Sequence, residues 1–174
     1  MSSDRLSVTL GNALFRSRQF FSSLRPRVDA AARDEAFALL SEGERELFET
    51  MTPRDQQHCL NVYRRLQDEG HTERDLLAAA VLHDAGKGRI ALWHRVAFVV
   101  LEAGAPGLLR RVADPGDGAG WRQALYRCLH HAELGAEAAR RAGSSERTIA
   151  LVREDGSAAS PELLLALKGA DDSV

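Results

Sequence analysis

A histidine and an aspartate stand side by side in the segment Val81-Leu82-His83-Asp84-Ala85-Gly86-Lys87. The imidazole nitrogen and the carboxylate oxygen are both ligands for divalent metals, and a nearby lysine can place a point charge on a phosphate. The apolar residues before His83 predict a buried helix, which Gly86 ends. The segment therefore predicts a metal and phosphate site at a helix end, provided that other parts of the chain supply more ligands.

Three other segments carry candidate residues of the same kind. His58 belongs to a predicted helix over Pro53–Asp68, where helical spacing puts Arg54 and Asn61 on its face. Such a face is typical either of a solvated surface or of the wall of an anion-binding cleft. His131 opens the run His131-Ala132-Glu133-Leu134-Gly135, and Asp171 lies three residues from the last residue.

In this order the motifs resemble those of the HD-domain superfamily of metal-dependent phosphohydrolases, over roughly residues 50–172. The His131 segment is similar to the His-Pro-Glu-x-Gly element of the HDIG branch. The resemblance implies a compact all-α bundle and one divalent metal. It also implies hydrolysis of phosphate esters, often of nucleotides, with a ligand set that would consist of His58, His83, Asp84 and Asp171.

The donor chemistry of this set agrees with the resemblance. Two nitrogen and two oxygen donors leave two octahedral positions for water or substrate, which favours Mn, Fe, Co or Ni and permits Mg or Zn. A bound metal lowers the pKa of coordinated water and polarises a phosphoryl oxygen. Asp84 and Lys87 are the predicted catalytic residues, the first orienting water and the second facing phosphate. The predicted substrate-binding residues are Arg54, Asn61, Lys87 and His131.

One position departs from the HDIG pattern. Where that pattern has histidines after the helix that follows the His131 segment, this chain has Glu154-Asp155. These carboxylates either hold a second metal together with His131, or they lie in a solvated turn that ends a helix. We favour the second account, which predicts a single metal, with His131 contacting substrate or water.

The helix start and stop signals predict an all-α fold of about eight helices, without strands. Ser41 with Glu44, and Thr72 with Asp75, form predicted capping boxes, and Thr52-Pro53 is a predicted helix start. The stretch Ile90–Ala103 is apolar on nearly every side, which predicts a central helix. Trp93 and Trp121 are predicted core residues.

Composition limits the class of protein. The chain has 174 residues, of which 44% are hydrophobic, and this suffices for one domain. A net charge of −2 gives no drive toward nucleic acid. No apolar run is long enough for a transmembrane segment, and Cys59 and Cys128 suggest buried thiols in the reducing cytoplasm. Residues 1–50 are predicted to form a helical arm on the domain of residues 51–174, with the arginine-rich first 27 residues packed on it or lying on a membrane surface.

The leading hypothesis is therefore a metal-dependent phosphoric ester hydrolase that acts on a small phosphorylated substrate, a nucleotide or a related molecule. The alternative is a degenerate HD domain that binds a nucleotide or metal and signals through a partner with little turnover. A purely structural helical domain is the third hypothesis. The sequence leaves the substrate, the metal and the oligomeric state open.

Overall fold

The computed structural model describes residues 28–116, 120–156 and 160–174. Within these ranges the chain is all helical, without strands, so the predicted fold class is confirmed. The described ranges contain ten α-helices rather than about eight, and one 3₁₀ turn. The helices are α1 (Ala30–Leu39), α2 (Glu42–Glu49), α3 (Pro53–Asp68), α4 (Arg74–Leu82), α5 (Leu92–Gly104), α6 (Pro106–Val112), α7 (Trp121–Leu129), α8 (His131–Arg141), α9 (Glu146–Val152) and α10 (Pro161–Ser173), and the 3₁₀ turn is Ala85–Lys87.

Local capping explains where the second and third helices begin. Ser41 and Glu44 form the predicted capping box of α2. Thr52 caps α3 through the backbone N–H of Asp55, and Pro53 occupies its first turn. The predicted box at Thr72 is absent, because α4 begins at Arg74 with no side-chain cap hydrogen bond.

Helix α4 lies at the centre of the main core. Every residue from Leu76 to Leu82 is buried, and α4 contacts α3, α9, α1, α2 and α10. Its surroundings include Ala32 and Ala36 of α1 and Phe48 of α2, so these two helices share the same core. The central position of α4 matters for function because His83 follows its last residue directly.

The prediction that Ile90–Ala103 forms the central helix is wrong. Helix α5 exposes Trp93, Val96, Val99 and Val100, and Trp121 of α7 is also exposed, so neither tryptophan is a core residue. The physical reason is that α5 packs mainly on α6 and α7, over a small cluster around Ile90 and Cys128, apart from the main core. Apolar composition alone does not tell which helix the others surround.

A close backbone approach joins the 3₁₀ turn to α8. A Cβ atom on Gly86 would overlap the carbonyl oxygen of His131 and would lie 2.5 Å from the backbone nitrogen of Gly135. Only glycine fits there, because the atoms that a Cβ would meet belong to the backbone and cannot move aside as a flexible side chain could. The contact fixes His131 beside the end of α4.

The predicted arm can be described only in part. Val28 packs against the main core, together with α1 and α2, whereas the arginine-rich first 27 residues lie outside the described residues. No helix in the described ranges has the length and apolarity to cross a membrane. Cys59 and Cys128 are buried free thiols.

Candidate metal centre

Three helices bring the four predicted metal ligands to one place. His58 lies on α3, His83 and Asp84 follow the end of α4, and Asp171 lies on α10. His58 and Asp171 are 113 residues apart in sequence, yet the Nε2 atom of His58 lies 2.7 Å from Oδ1 of Asp171. Packing of α10 against α3 and α4 produces this meeting.

The donor atoms of these residues lie close to one another. One ligand atom from each of His58, His83 and Asp84 lies within 4.8 Å of the others. The Nε2 atom of His83 is 3.5 Å from Oδ1 of Asp84 and also 3.5 Å from Oδ1 of Asp171. The Asp171 side chain therefore points toward both imidazoles rather than away from them.

Two of these atoms are buried and lack a hydrogen bond of good geometry, namely Nε2 of His83 and Oδ1 of Asp84, although Oδ1 lies 2.6 Å from the Lys87 ammonium group. Burying an unsatisfied polar atom costs free energy, so such atoms call for an explanation. The Nδ1–H group of His83 donates to the carbonyl oxygen of Ala80 at 2.9 Å, so Nε2 is the ring nitrogen that could bind a metal. The two atoms fit a divalent ion that would satisfy both, and nitrogen with carboxylate oxygen is a suitable donor set.

Electrostatics keep the carboxylates ionised, as metal ligands must be. Burial opposes the charge of Asp84, but His83, Lys87 and His58 outweigh it and hold the pKa of Asp84 well below its usual value. Burial likewise opposes the charge of Asp171, but the hydrogen bond from His58 and the nearby ring of His83 hold its pKa far below the usual range.

The His83 imidazole responds in the opposite direction. Burial favours its neutral form, but the neighbouring Cys59 sulphur, Asp84 and Asp171 favour the protonated form and raise the pKa of the ring well above its ordinary value. A cation at Nε2 is thus favourable in this site. A metal ion would take the place of that proton, so metal and proton would compete for His83.

Lys87 lies directly against Asp84. Its Nζ atom is 2.6 Å from Oδ1 and donates a hydrogen bond of 2.7 Å to Oδ2. Burial by itself lowers the pKa of Lys87, but the charge of Asp84 outweighs it and raises the pKa. Lys87 therefore carries a positive charge beside the candidate metal position, although its partner here is Asp84.

A small cavity opens beside these groups, with a volume of about 50 Å³. One water molecule needs roughly 10–15 Å³ of such space, so the cavity has room for only a few oxygen-sized atoms. Its lining contains both charged or polar and apolar side chains. The lining residues are His83, Asp84, Lys87, His131, Leu151, Val152, Glu154, Leu167, Lys168 and Asp171.

His131 lies in this lining, as the sequence analysis expected of a substrate or water contact. Its Nδ1–H group donates to the carbonyl oxygen of Cys128 at 2.9 Å. In the neutral ring, that bond makes Nε2 the hydrogen-bond acceptor. The same arrangement, with Nδ1 bound to the carbonyl three residues earlier, orients His83.

Glu154 lies in a turn, but the turn does not carry it away from the site. The residue lines the cavity, and its Oε2 atom is 2.5 Å from Nζ of Lys168. The structure agrees with the favoured account that Glu154 lies in an exposed turn at the end of a helix, and it adds that this turn borders the cavity. Because α9 ends against the pocket, a turn at its end also faces the pocket.

Arg54 and Asn61 are not part of the cavity lining. Asn61 is exposed and accepts a hydrogen bond of 2.8 Å from Gln57 on the surface of α3. Arg54 is half-buried, and its pKa is lowered by burial and by the charge of Arg95. Helical spacing correctly put both on α3, but it does not specify how far their side chains lie from the pocket.

Sequence reasoning missed Lys168 altogether. A usable signal was present, since Lys168 precedes Asp171 by one helical turn and Lys87 is the one other lysine in the chain.

No family model matches the chain. Comparison with curated proteins gave no match, and neither did comparison with solved structures.

Proposed function

We propose that the chain is a metal-dependent phosphohydrolase of the HD type, which cleaves a phosphoester of a small molecule such as a nucleotide. One observation supports this proposal above the others. The Nε2 atom of His83 is buried without a hydrogen bond and faces the carboxylates of Asp84 and Asp171, next to a second histidine and a lysine. In a purely structural domain that arrangement would only destabilise the fold, because a buried polar atom without a partner raises its free energy.

The proposed metal would be held by His58, His83 and Asp84, with Asp171 completing the set. When bound, it would supply Lewis acidity to a phosphoryl oxygen and would make a water molecule more acidic. The reaction joins a water oxygen to phosphorus, breaks the ester P–O bond and delivers a proton to the departing alcohol.

The side chains around this position have separate roles in the proposal. Asp84 accepts a hydrogen bond from the attacking water and so orients it. Lys87 stabilises the negative charge on the phosphoryl oxygens. His131, whose Nε2 is available as an acceptor, contacts water or substrate at the cavity wall. A reducing, cytoplasmic location also belongs to the proposal, because both cysteines are free thiols.

A second candidate function is a binding module of HD type with little turnover. The observation that favours it is the close ion pair between Lys87 and both oxygens of Asp84, which engages the two predicted catalytic groups with each other. Such a site would bind a metal or nucleotide and signal through a partner.

Turnover separates the two candidates. Protein supplemented with Mn, Fe, Co, Ni, Mg or Zn is assayed on a panel of nucleoside phosphates and simple phosphate mono- and diesters. We expect hydrolysis with at least one metal, and its loss in Asp84→Ala. We expect Lys87→Ala to lose about 10- to 100-fold in kcat while metal stays bound. Metal binding without any turnover would favour the binding module, and equal metal loss in both variants would refute the role of Lys87.

A further inference from the structure

The two lysines of the chain both lie at the candidate site. Of 23 basic side chains, 21 are arginines, and the two lysines, Lys87 and Lys168, line the same cavity. Arginine serves at every other cationic position. Lysine differs in carrying a compact charge on a flexible stem, which suits a small anion in a narrow space.

Lys168 is the more available of the two cations. Lys87 is bound to both oxygens of the buried Asp84, and removing it would leave that carboxylate uncompensated. Lys168 instead pairs with Glu154, and both side chains are about half exposed, at 48% and 44%. An exposed pair contributes little to stability, so Lys168 can leave Glu154 at low cost.

The backbone at Glu154, the carboxylate partner of Lys168, is fixed in an unusual conformation. Glu154 has φ 60°, the only positive value among the described residues other than glycine. Its N–H donates to the carbonyl of Leu151, while that of Asp155 donates to Ala150, so α9 ends in a Schellman motif whose left-handed position usually carries glycine. A glutamate there is strained, because its Cβ lies close to the following carbonyl oxygen. The exposed ion pair alone hardly offsets this strain.

We propose that Lys168 is an anion-binding residue at the cavity, and that Glu154 holds its ammonium group there until an anionic group replaces the carboxylate. The inference rests on the proposed function in that the anion would be the phosphoryl group of the substrate. Lys168 and Asp171 lie one helical turn apart on α10, so the helix presents an anion contact and a candidate metal ligand on one face. The glutamate then turns to solvent, where its charge is hydrated.

The test measures binding of inorganic phosphate by titration calorimetry, in the presence of manganese, and needs no turnover. We expect Lys168→Ala to weaken phosphate binding about tenfold, as loss of a partly exposed charged hydrogen bond does. Manganese affinity should stay within about twofold of wild type, because Lys168 is not a ligand. Glu154→Gln, which frees the lysine, should strengthen phosphate binding about threefold.

Arg153→Ala is the matched control, because it removes one positive charge from an exposed residue next to Glu154 that does not line the cavity. It should change phosphate affinity by less than about twofold. Equal losses in Arg153→Ala and Lys168→Ala would overturn the inference, as would wild-type protein that binds no phosphate. Unchanged or weaker binding in Glu154→Gln would overturn the role given to Glu154.

The outcomes also separate this inference from the proposed function. Phosphate binding that depends on Lys168, in a protein that hydrolyses no phosphoester, would leave the inference standing and the hydrolase proposal refuted. Hydrolysis with an unchanged KM in Lys168→Ala, together with unchanged phosphate affinity, would refute the inference alone.

Discussion

The contact between Gly86 and α8 predicts a large effect of a single methyl group. In Gly86→Ala the new Cβ would overlap the His131 carbonyl oxygen, and it would lie 2.5 Å from Gly135 N and 2.8 Å from His131 C. Relief requires the 3₁₀ turn and α8 to separate by about 1 Å, since all three atoms are backbone. Overpacking of this kind costs about 3 kcal/mol or more.

For a chain of this size, that loss lowers the thermal midpoint by roughly 6–12 °C. It would also weaken metal binding, because Asp84 immediately precedes the turn that must move. Thermal unfolding with and without manganese measures both effects on the same samples.

Two other glycines provide a graded comparison. A Cβ on Gly135 would lie 3.2 Å from a Val152 methyl group and 3.3 Å from Gly86 N, which predicts a smaller loss of about 1 kcal/mol. Gly104, at the end of α5, has nothing within 4 Å, so Gly104→Ala should be neutral or slightly stabilising. If the free energies of unfolding of Gly86→Ala and Gly104→Ala differed by less than about 1 kcal/mol, the close approach would be refuted.

Two further predictions concern charged groups. Because the pKa of His83 is raised in the fold, its contribution to stability is complete below the ordinary value of 6.5 and is lost as pH rises through the folded value. Chelator-treated protein should therefore have a lower thermal midpoint at pH 8 than at pH 6, while the gain on adding manganese should grow with pH; a gain that shrinks with pH would contradict this. Glu44 is fully buried and accepts hydrogen bonds from Arg74, Ser144 and the backbone of Ser41, so Glu44→Ala should cost about 2–3 kcal/mol in urea unfolding. The exposed Glu46 on the same helix is the control, and Glu46→Ala should cost less than about 0.5 kcal/mol.

Local signals in the sequence predicted the helices well, because capping and turn chemistry act over a few residues. The capping box of α2 and the proline start of α3 formed as predicted. The positions of the helices relative to one another were harder to predict. The apolar stretch of α5 suggested a central helix, but α4 is central, and only the packing of the other helices determines which apolar helix they surround.

The candidate site shows the same division. The resemblance to the HD-domain superfamily implied the set His58, His83, Asp84 and Asp171. The structure groups donor atoms of the first three and places Asp171 against both histidines. The part of the cavity lining that includes Glu154 and Lys168 depends on how α9 and α10 meet. No local pattern reports that contact, so the sequence analysis left open whether Glu154 faces the site, and it missed Lys168.

The most direct test of the central claim is the manganese content of each chain after saturation and removal of free metal, measured together with two adjacent aspartate variants. We expect close to one ion per chain in wild type. We expect the same in Asp172→Ala, since Asp172 is exposed, and a clear loss in Asp171→Ala, which removes the carboxylate that contacts His58 and His83. Wild-type protein without bound metal, or equal metal content in the two variants, would contradict the account, and close to two ions per chain would contradict the single-metal site.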